Sequence, residues 1–260
     1  MFYEMIGYVA ERHAPETDRL REFDVSRAAL FLDFDGVLVE LAETPDSIEV
    51  PEALHGTLAA LHEASGGAVA IVSGRAAADI RRWLPDFPGL VVGSHGAEID
   101  RGSGTERLVD PDPERVAALQ EMVHGYAASH EAYIAEPKPT GIVLHFRRDP
   151  ELRGAAWHML DAAMADFPGF HIHHSKMAFE IRPDGVGKEV AIARLMQEAP
   201  FEGRMPVVFG DDVTDEPALQ FAREAGGVSV KVGEGQTCAE CRLGAPEQAR
   251  AALASIVGGA

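Results

Sequence analysis

The chain has 260 residues, 46% hydrophobic and 25% charged, a balance that supports one large buried core or two modest ones and excludes a disordered chain. Its formal net charge of -19 disfavours nucleic acid and anionic membrane surfaces, which are bound through clustered Lys and Arg. The longest apolar runs, Ala28 to Leu32 and Gly67 to Val72, fall far short of the roughly 20 residues a membrane helix requires. Met1 to Tyr8 is apolar, but it follows no basic region and Glu4 interrupts it, so it does not read as a secretory signal and a cytoplasmic chain is expected.

Short apolar runs then alternate with helix-period segments. The strand Ala28-Ala-Leu-Phe-Leu-Asp33 precedes a helix from about Glu52 to Ala64, the strand Ala68 to Ser73, a helix from about Ala76 to Leu84 and the strand Leu90-Val-Val-Gly. Between about Asp110 and Pro183 the texture changes. Ile142 to Arg147 and Met177 to Arg182 alternate apolar and polar residues, as half-buried strands do, and helices are predicted over about Pro113 to Ser129 and Glu151 to Phe167. The first pattern returns with a helix after Lys188, the strand Pro206 to Gly210, a helix from about Glu216 to Glu224, the strand Val228 to Val232 and a last helix from about Pro246. Strands that are apolar throughout have both faces covered, so these segments imply a Rossmann-like α/β core with a parallel sheet, formed by 1–109 and 184–260. A smaller α+β domain, 110–183, is inserted into it, with hinges at Pro111 to Pro113 and Pro183 to Gly187.

Three elements carry chemistry. Asp33-Phe-Asp35-Gly36 commits two carboxylates to the end of the first strand, the rim where open α/β sheets place their sites. Val72-Ser73-Gly74-Arg75 offers a hydroxyl and helix-start N–H groups to a phosphate oxygen. In Gly210-Asp211-Asp212-Val213-Thr214-Asp215-Glu216 the carboxylates repel one another unless a cation is present, and Mg2+, a hard ion that takes oxygen ligands, suits them. Each has a bland counterpart, in strand-ending turns, helix caps and solvated helix starts. Lysine occurs four times, at Lys138, Lys176, Lys188 and Lys231, and Lys188 at a helix start supplies a point charge for an anionic centre. The conjunction of acid pair, hydroxyl, lysine and acid cluster, in that order along the chain and each at a strand end or helix start, outweighs the separate bland readings.

In these residues the chain resembles the haloacid dehalogenase-like phosphatases, whose ordered motifs match Asp33-Phe-Asp-Gly, Ser73, Lys188 and Gly210-Asp-Asp-x-x-Asp215. Gly93-Ser-His95-Gly-Ala-Glu98, Glu136-Pro-Lys138, His145-Phe-Arg147, Lys176-Met-Ala-Phe-Glu180-Ile-Arg-Pro183 and Gly210 to Glu216 narrow the resemblance to the trehalose-6-phosphate phosphatases within them. It implies hydrolysis of trehalose 6-phosphate through an aspartyl phosphate on Asp33, with Asp35 as general acid and base and Ser73 and Lys188 on the phosphoryl oxygens. Mg2+ would be held by Asp33, the Asp35 carbonyl and Asp211, while Asp215 or Asp212 orients Lys188 or a metal-bound water. The insert would be a mobile cap whose Glu136, Lys138, His145, Arg147, Lys176 and Glu180 close over the sugar, with Gly36, Gly74, Arg75 and His95 completing the substrate-binding set.

One position departs from the family: Val37 stands where these phosphatases usually have Thr, and slower turnover is expected from the lost hydroxyl. His171-Ile-His173-His174 is read as an exposed cap strand of neutral histidines rather than a metal site, and Cys238-x-x-Cys241, with no second pair, as two ordinary thiols near a loop. Another sugar-phosphate phosphatase or phosphomutase of the superfamily, or a sugar-phosphate-binding regulator without turnover, would share these motifs. The partner expected is a small molecule alone, and the oligomeric state is left open, with a monomer as the working expectation.

Overall fold

The computed structural model describes residues 20, 23–42, 47–175 and 177–258. The reading of Met1 to Tyr8 falls outside them. Strands β1 (Ala28–Leu32), β2 (Val69–Val72), β3 (Leu90–Gly93), β10 (Met205–Gly210), β11 (Val228–Val232) and β12 (Cys241–Leu243) pair in parallel in the order β12-β11-β10-β1-β2-β3. Side chains alternate across β1. Leu30 and Leu32 pack with Leu54, Leu58 and Leu61 of α1 (Glu52–Ala64), Ile80 of α2 (Ala77–Trp83) and Leu253 of α7 (Pro246–Gly258). Ala29 and Phe31 face the other way, onto Ala191, Ile192 and Leu195 of α5 (Lys188–Leu195) and Leu219 of α6 (Glu216–Glu224), with Phe31 stacked on Phe201 at 5.3 Å. Helices on both faces explain why these strands are apolar throughout. Each fully buried Leu or Phe contributes roughly 1.5–3 kcal/mol by leaving water.

The sheet is not parallel to its edge. Two strands absent from the sequence reading, β4 (Glu98–Asp100) and β5 (Thr105–Arg107), extend it antiparallel beyond β3. They are three residues each, and β5 is exposed and polar, so neither carries an apolar run. A ring of charge lies at this edge: Glu106 meets Arg194 at 2.5 Å and Arg101 at 3.4 Å, and Glu198 meets Arg101 at 2.8 Å and Arg194 at 3.4 Å.

A second sheet, all antiparallel, has the order β6-β7-β9-β8: β6 (Ile134–Lys138), β7 (Gly141–His145), β9 (Ala178–Pro183) and β8 (Phe170–Ser175). Ile142, Leu144, Phe179 and Ile181 bury one face under α3 (Pro113–Ala127) and α4 (Arg153–Ala163). The Asp112 carboxylate caps α3 by accepting from the Glu114 N–H at 2.9 Å. The helix expected over Glu151 to Phe167 is shorter at both ends, where 3-10 turns at Pro150–Leu152 and Met164–Asp166 replace its first and last turns. Register puts Glu136 opposite Val143, Val143 opposite Glu180 and Glu180 opposite His173, so these side chains share the polar face. Among the described residues no helix is long and apolar enough to cross a membrane.

Candidate active site

Asp33 follows β1 directly and is 6% exposed. Its Oδ1 accepts the Phe34 N–H at 2.8 Å and lies 2.9 Å from Lys188 Nζ. Lys188, the first residue of α5 and also buried, donates to Asp215 Oδ1 at 2.6 Å. Asp215 is thereby spent on scaffolding, because its Oδ2 accepts the N–H groups of Asp211 at 3.1 Å and Asp212 at 3.0 Å. Of the two residues that sequence leaves equivalent, Asp215 touches Lys188 and Asp212 supports Asp215.

Asp33, Asp211 and Asp215 each place a carboxylate oxygen within 4.8 Å of the others, the one metal-capable group among the described residues. Burial, and after it the charge of Asp215, pushes Asp33 well above the ordinary carboxylate range, and burial with Asp215 and Asp212 pushes Asp211 up to about 6. Burial also works against the Lys188 ammonium, but Asp215 and Asp33 outweigh it and hold it well above the usual lysine range. Two ammoniums, those of Lys188 and Lys231, against three carboxylates still leave negative charge unmatched, and all the donors are oxygens, so the set fits a divalent cation. Gly36, at φ +74°, is required here: a Cβ would collide with the Asp211 carboxylate.

Asp35 is placed otherwise. Arg75 grips its carboxylate with two hydrogen bonds, Nε to Oδ2 at 2.7 Å and Nη2 to Oδ1 at 2.8 Å, with its Cζ 5.8 Å from the centre of the Phe34 ring. The Arg75 N–H in turn donates to Ser73 Oγ at 3.1 Å. Ser94 and His95 follow at φ 50° and 55°, a left-handed pair held by Ser94 N–H to Arg75 O at 2.7 Å and His95 N–H to Ser73 O at 3.0 Å. The His95 ring lies against Gly74, where a Cβ would strike it. Val37 is fully buried in the core, so its methyl groups are packed rather than exposed to the site.

From the second sheet, Glu180 reaches the core: its Oε2 is 3.3 Å from His95 Nε2 and 3.7 Å from Arg182 Nε. Burial holds the His95 imidazole well below its usual range and pushes Glu180 upward. Glu136 meets Lys138 at 2.5 Å and His145 at 2.8 Å, and the His145 bond first, then Lys138, draws its carboxyl down to about 2. Arg147, at the exposed end of β7, reaches His145 Nδ1 at 3.3 Å. Lys176 lies outside the described residues.

A sequence model of the family described as Trehalose-phosphatase matches residues 31–242, which span core motifs and insert together. The chain belongs to that family. It is 34% identical over 223 residues to the trehalose-6-phosphate phosphatase of Escherichia coli K12, covering 85% of this chain and 84% of the relative. Against a probable trehalose-phosphate phosphatase of Sinorhizobium fredii the identity is 36% over 215 residues, 81% of this chain and 79% of the relative. The fold matches the C-terminal domain of the Candida albicans trehalose-6-phosphate phosphatase with a TM-score of 0.78 at 22% identity, covering 93% and 94% of the two chains.

Trehalose-phosphatase membership makes the chain a phosphoric monoester hydrolase, and two buried cations that the sequence reading left without a role now stand beside its site. Lys231 Nζ donates to the Asp211 carbonyl, and Arg182 underlies Glu180. Both had a signal: a lone lysine inside Val228-Ser-Val-Lys-Val232 and an arginine ending an otherwise buried strand. Within the histidine tract His171 is exposed as expected, whereas His173 and His174 are half-buried. Burial draws His173 down to about 4, His174 stacks on Trp157 at 4.9 Å and His171 pairs with Asp184. Neither Cys238 nor Cys241 is in a disulfide, and burial pushes the Cys238 thiol up to about 12, which leaves it a poor nucleophile.

Proposed function

We propose that the chain hydrolyses trehalose 6-phosphate to trehalose and inorganic phosphate through an aspartyl phosphate on Asp33. The observation that carries this reading is the Lys188 ammonium, 2.9 Å from Asp33 and 2.6 Å from Asp215 at the rim of the parallel sheet, which fixes one Asp33 oxygen and leaves the other for attack. The relatives' names supply the substrate. Residues 1–109 and 184–260 form the catalytic core and 110–183 the cap, with Glu136, Lys138, His145, Arg147 and Glu180 on the sugar.

Asp33 attacks phosphorus in line and the bond from phosphorus to the sugar oxygen breaks. Asp35 gives its proton to that oxygen and then, as a carboxylate, takes one from water, whose oxygen attacks phosphorus and frees Asp33. For either transfer the Arg75 fork must release at least one Asp35 oxygen. The Ser73 hydroxyl and the Lys188 ammonium hold the phosphoryl oxygens. Mg2+, held by Asp33, Asp211 and the Asp35 carbonyl, would supply neutralisation of the phosphoryl charge.

The test is phosphate release from trehalose 6-phosphate, sucrose 6-phosphate and glucose 6-phosphate, with and without Mg2+. A strong, Mg2+-dependent preference for the first is expected. Turnover of another sugar instead would keep the mechanism and remove the sugar assignment; folded protein that releases phosphate from none would point to a binding protein.

A further inference from the structure

The polar face of the cap is not uniform. Glu136, Lys138, His145 and Arg147, on the β6–β7 half, are bonded to one another. The β8–β9 half is different. Arg182 is 6% exposed, its Nε has no hydrogen-bond partner, and among the described residues its guanidinium donates no hydrogen bond, the 3.7 Å to Glu180 being too long. A buried Nε–H that faces a carboxylate beyond hydrogen-bond range, on a guanidinium that lines a cavity, points to a missing acceptor.

Arg182 lines a cavity of 210 Å³ with His173, Gly187, Lys188, Glu189 and Thr214, between the β8–β9 edge and the starts of α5 and α6. That volume is roughly seven waters at about 30 Å³ each, room for a small molecule and nothing larger. Lys188 forms the shared wall, with its ammonium on the catalytic carboxylates. The charge is balanced, since Arg182 is answered by Glu180 and Glu189, so an added anion would gain little. The lining offers donors from Arg182, acceptors from Glu189 and both from the Thr214 hydroxyl and the neutral His173 ring, the mixture that sugar hydroxyls require.

We propose that this cavity is a sugar-hydroxyl subsite that receives a ring of the substrate, with Arg182 as its specifying donor. The inference rests on the sugar-phosphatase reading of the adjacent site and adds a second contact region to the one expected from Glu136 and Lys138.

The experiment compares wild type with Arg182→Met and with His173→Phe, which keeps ring volume and removes the ring nitrogens. Two readouts are taken, steady-state kinetics on trehalose 6-phosphate and calorimetric titration with trehalose, with Trp157 fluorescence as a local reporter through His174. In Arg182→Met, KM is expected to rise about tenfold with kcat within about threefold, and trehalose binding to weaken in step. For His173→Phe the expected rise is about threefold. Unchanged KM and unchanged trehalose affinity in His173→Phe and in folded Arg182→Met would overturn the subsite, as would a fall in kcat at constant KM. Wild type that fails to turn over trehalose 6-phosphate, yet binds trehalose in an Arg182-dependent way, would reject the substrate reading and keep the cavity.

Discussion

On the core side of the cleft the side chains of Asp33, Lys188 and Asp215 are 7%, 4% and 3% exposed, whereas across from them Glu136 and Lys138 remain 46% and 39% exposed. The core groups are anchored in the first residues after parallel strands and at helix starts, so packing on both faces of a sheet fixes them. The cap groups sit on one face of a four-stranded antiparallel sheet and are held by each other. Burial therefore makes every core charge depend strongly on its partner, while water screens those on the outer cap. A chemical step that tolerates little misplacement is served by the first design, and the cap closure proposed above by the second.

Substitutions can break that contrast. The largest effect is expected from Asp33→Asn, which should lower phosphate release by about 10,000-fold or more with the fold retained by circular dichroism. Next is Lys188→Met, which strands the two buried carboxylates of Asp33 and Asp215 and should cost about 3–5 kcal/mol in urea unfolding. Added Mg2+ should recover part of it, because a ligand that binds the native state stabilises it. Arg75→Met should reduce kcat on trehalose 6-phosphate by about 100-fold and reduce an aryl phosphate less, since a good leaving group needs less help from Asp35; equal loss on both would remove Arg75 from the placement of Asp35.

On the cap the effects should be smaller. His173 titrates near 4 when folded and near the ordinary ~6.5 when unfolded, so between these values the unfolded chain binds the extra proton. Its contribution falls as pH drops from about 6.5 to 4 and is level below, and His173→Phe should flatten that part of a Tm against pH curve. Lys138→Met should change stability by less than about 1 kcal/mol, whatever it does to KM.

The same contrast explains what could be read from sequence. The core strands are legible because double-sided burial leaves continuous apolar runs, and the carboxylates that follow β1 and β10 inherit their position from those runs. The β4–β5 hairpin is illegible because three-residue, largely polar strands gain their pairing from β3 and not from their own composition. Arg75 presents the same difficulty at the site. Sequence places it among the substrate contacts, but its fork closes on Asp35, forty residues earlier in the chain, a pairing decided by β1 and β2 lying side by side. That the Arg182 Nε–H finds no hydrogen-bond acceptor is likewise a property of the assembled cleft and of no local pattern.

The ring of Arg101, Glu106, Arg194 and Glu198 also bears on how the molecule behaves in a crowd. An open sheet ends in backbone groups that can template pairing with another chain, and this one ends in a strand three residues long with Glu106 at its centre, flanked by two arginines and a second carboxylate. A strand docking from a second molecule would have to align with so short a ladder and desolvate alternating charges to do it. The edge thus resists growth of the sheet from molecule to molecule, protecting solubility at high protein concentration at a point remote from the chemistry.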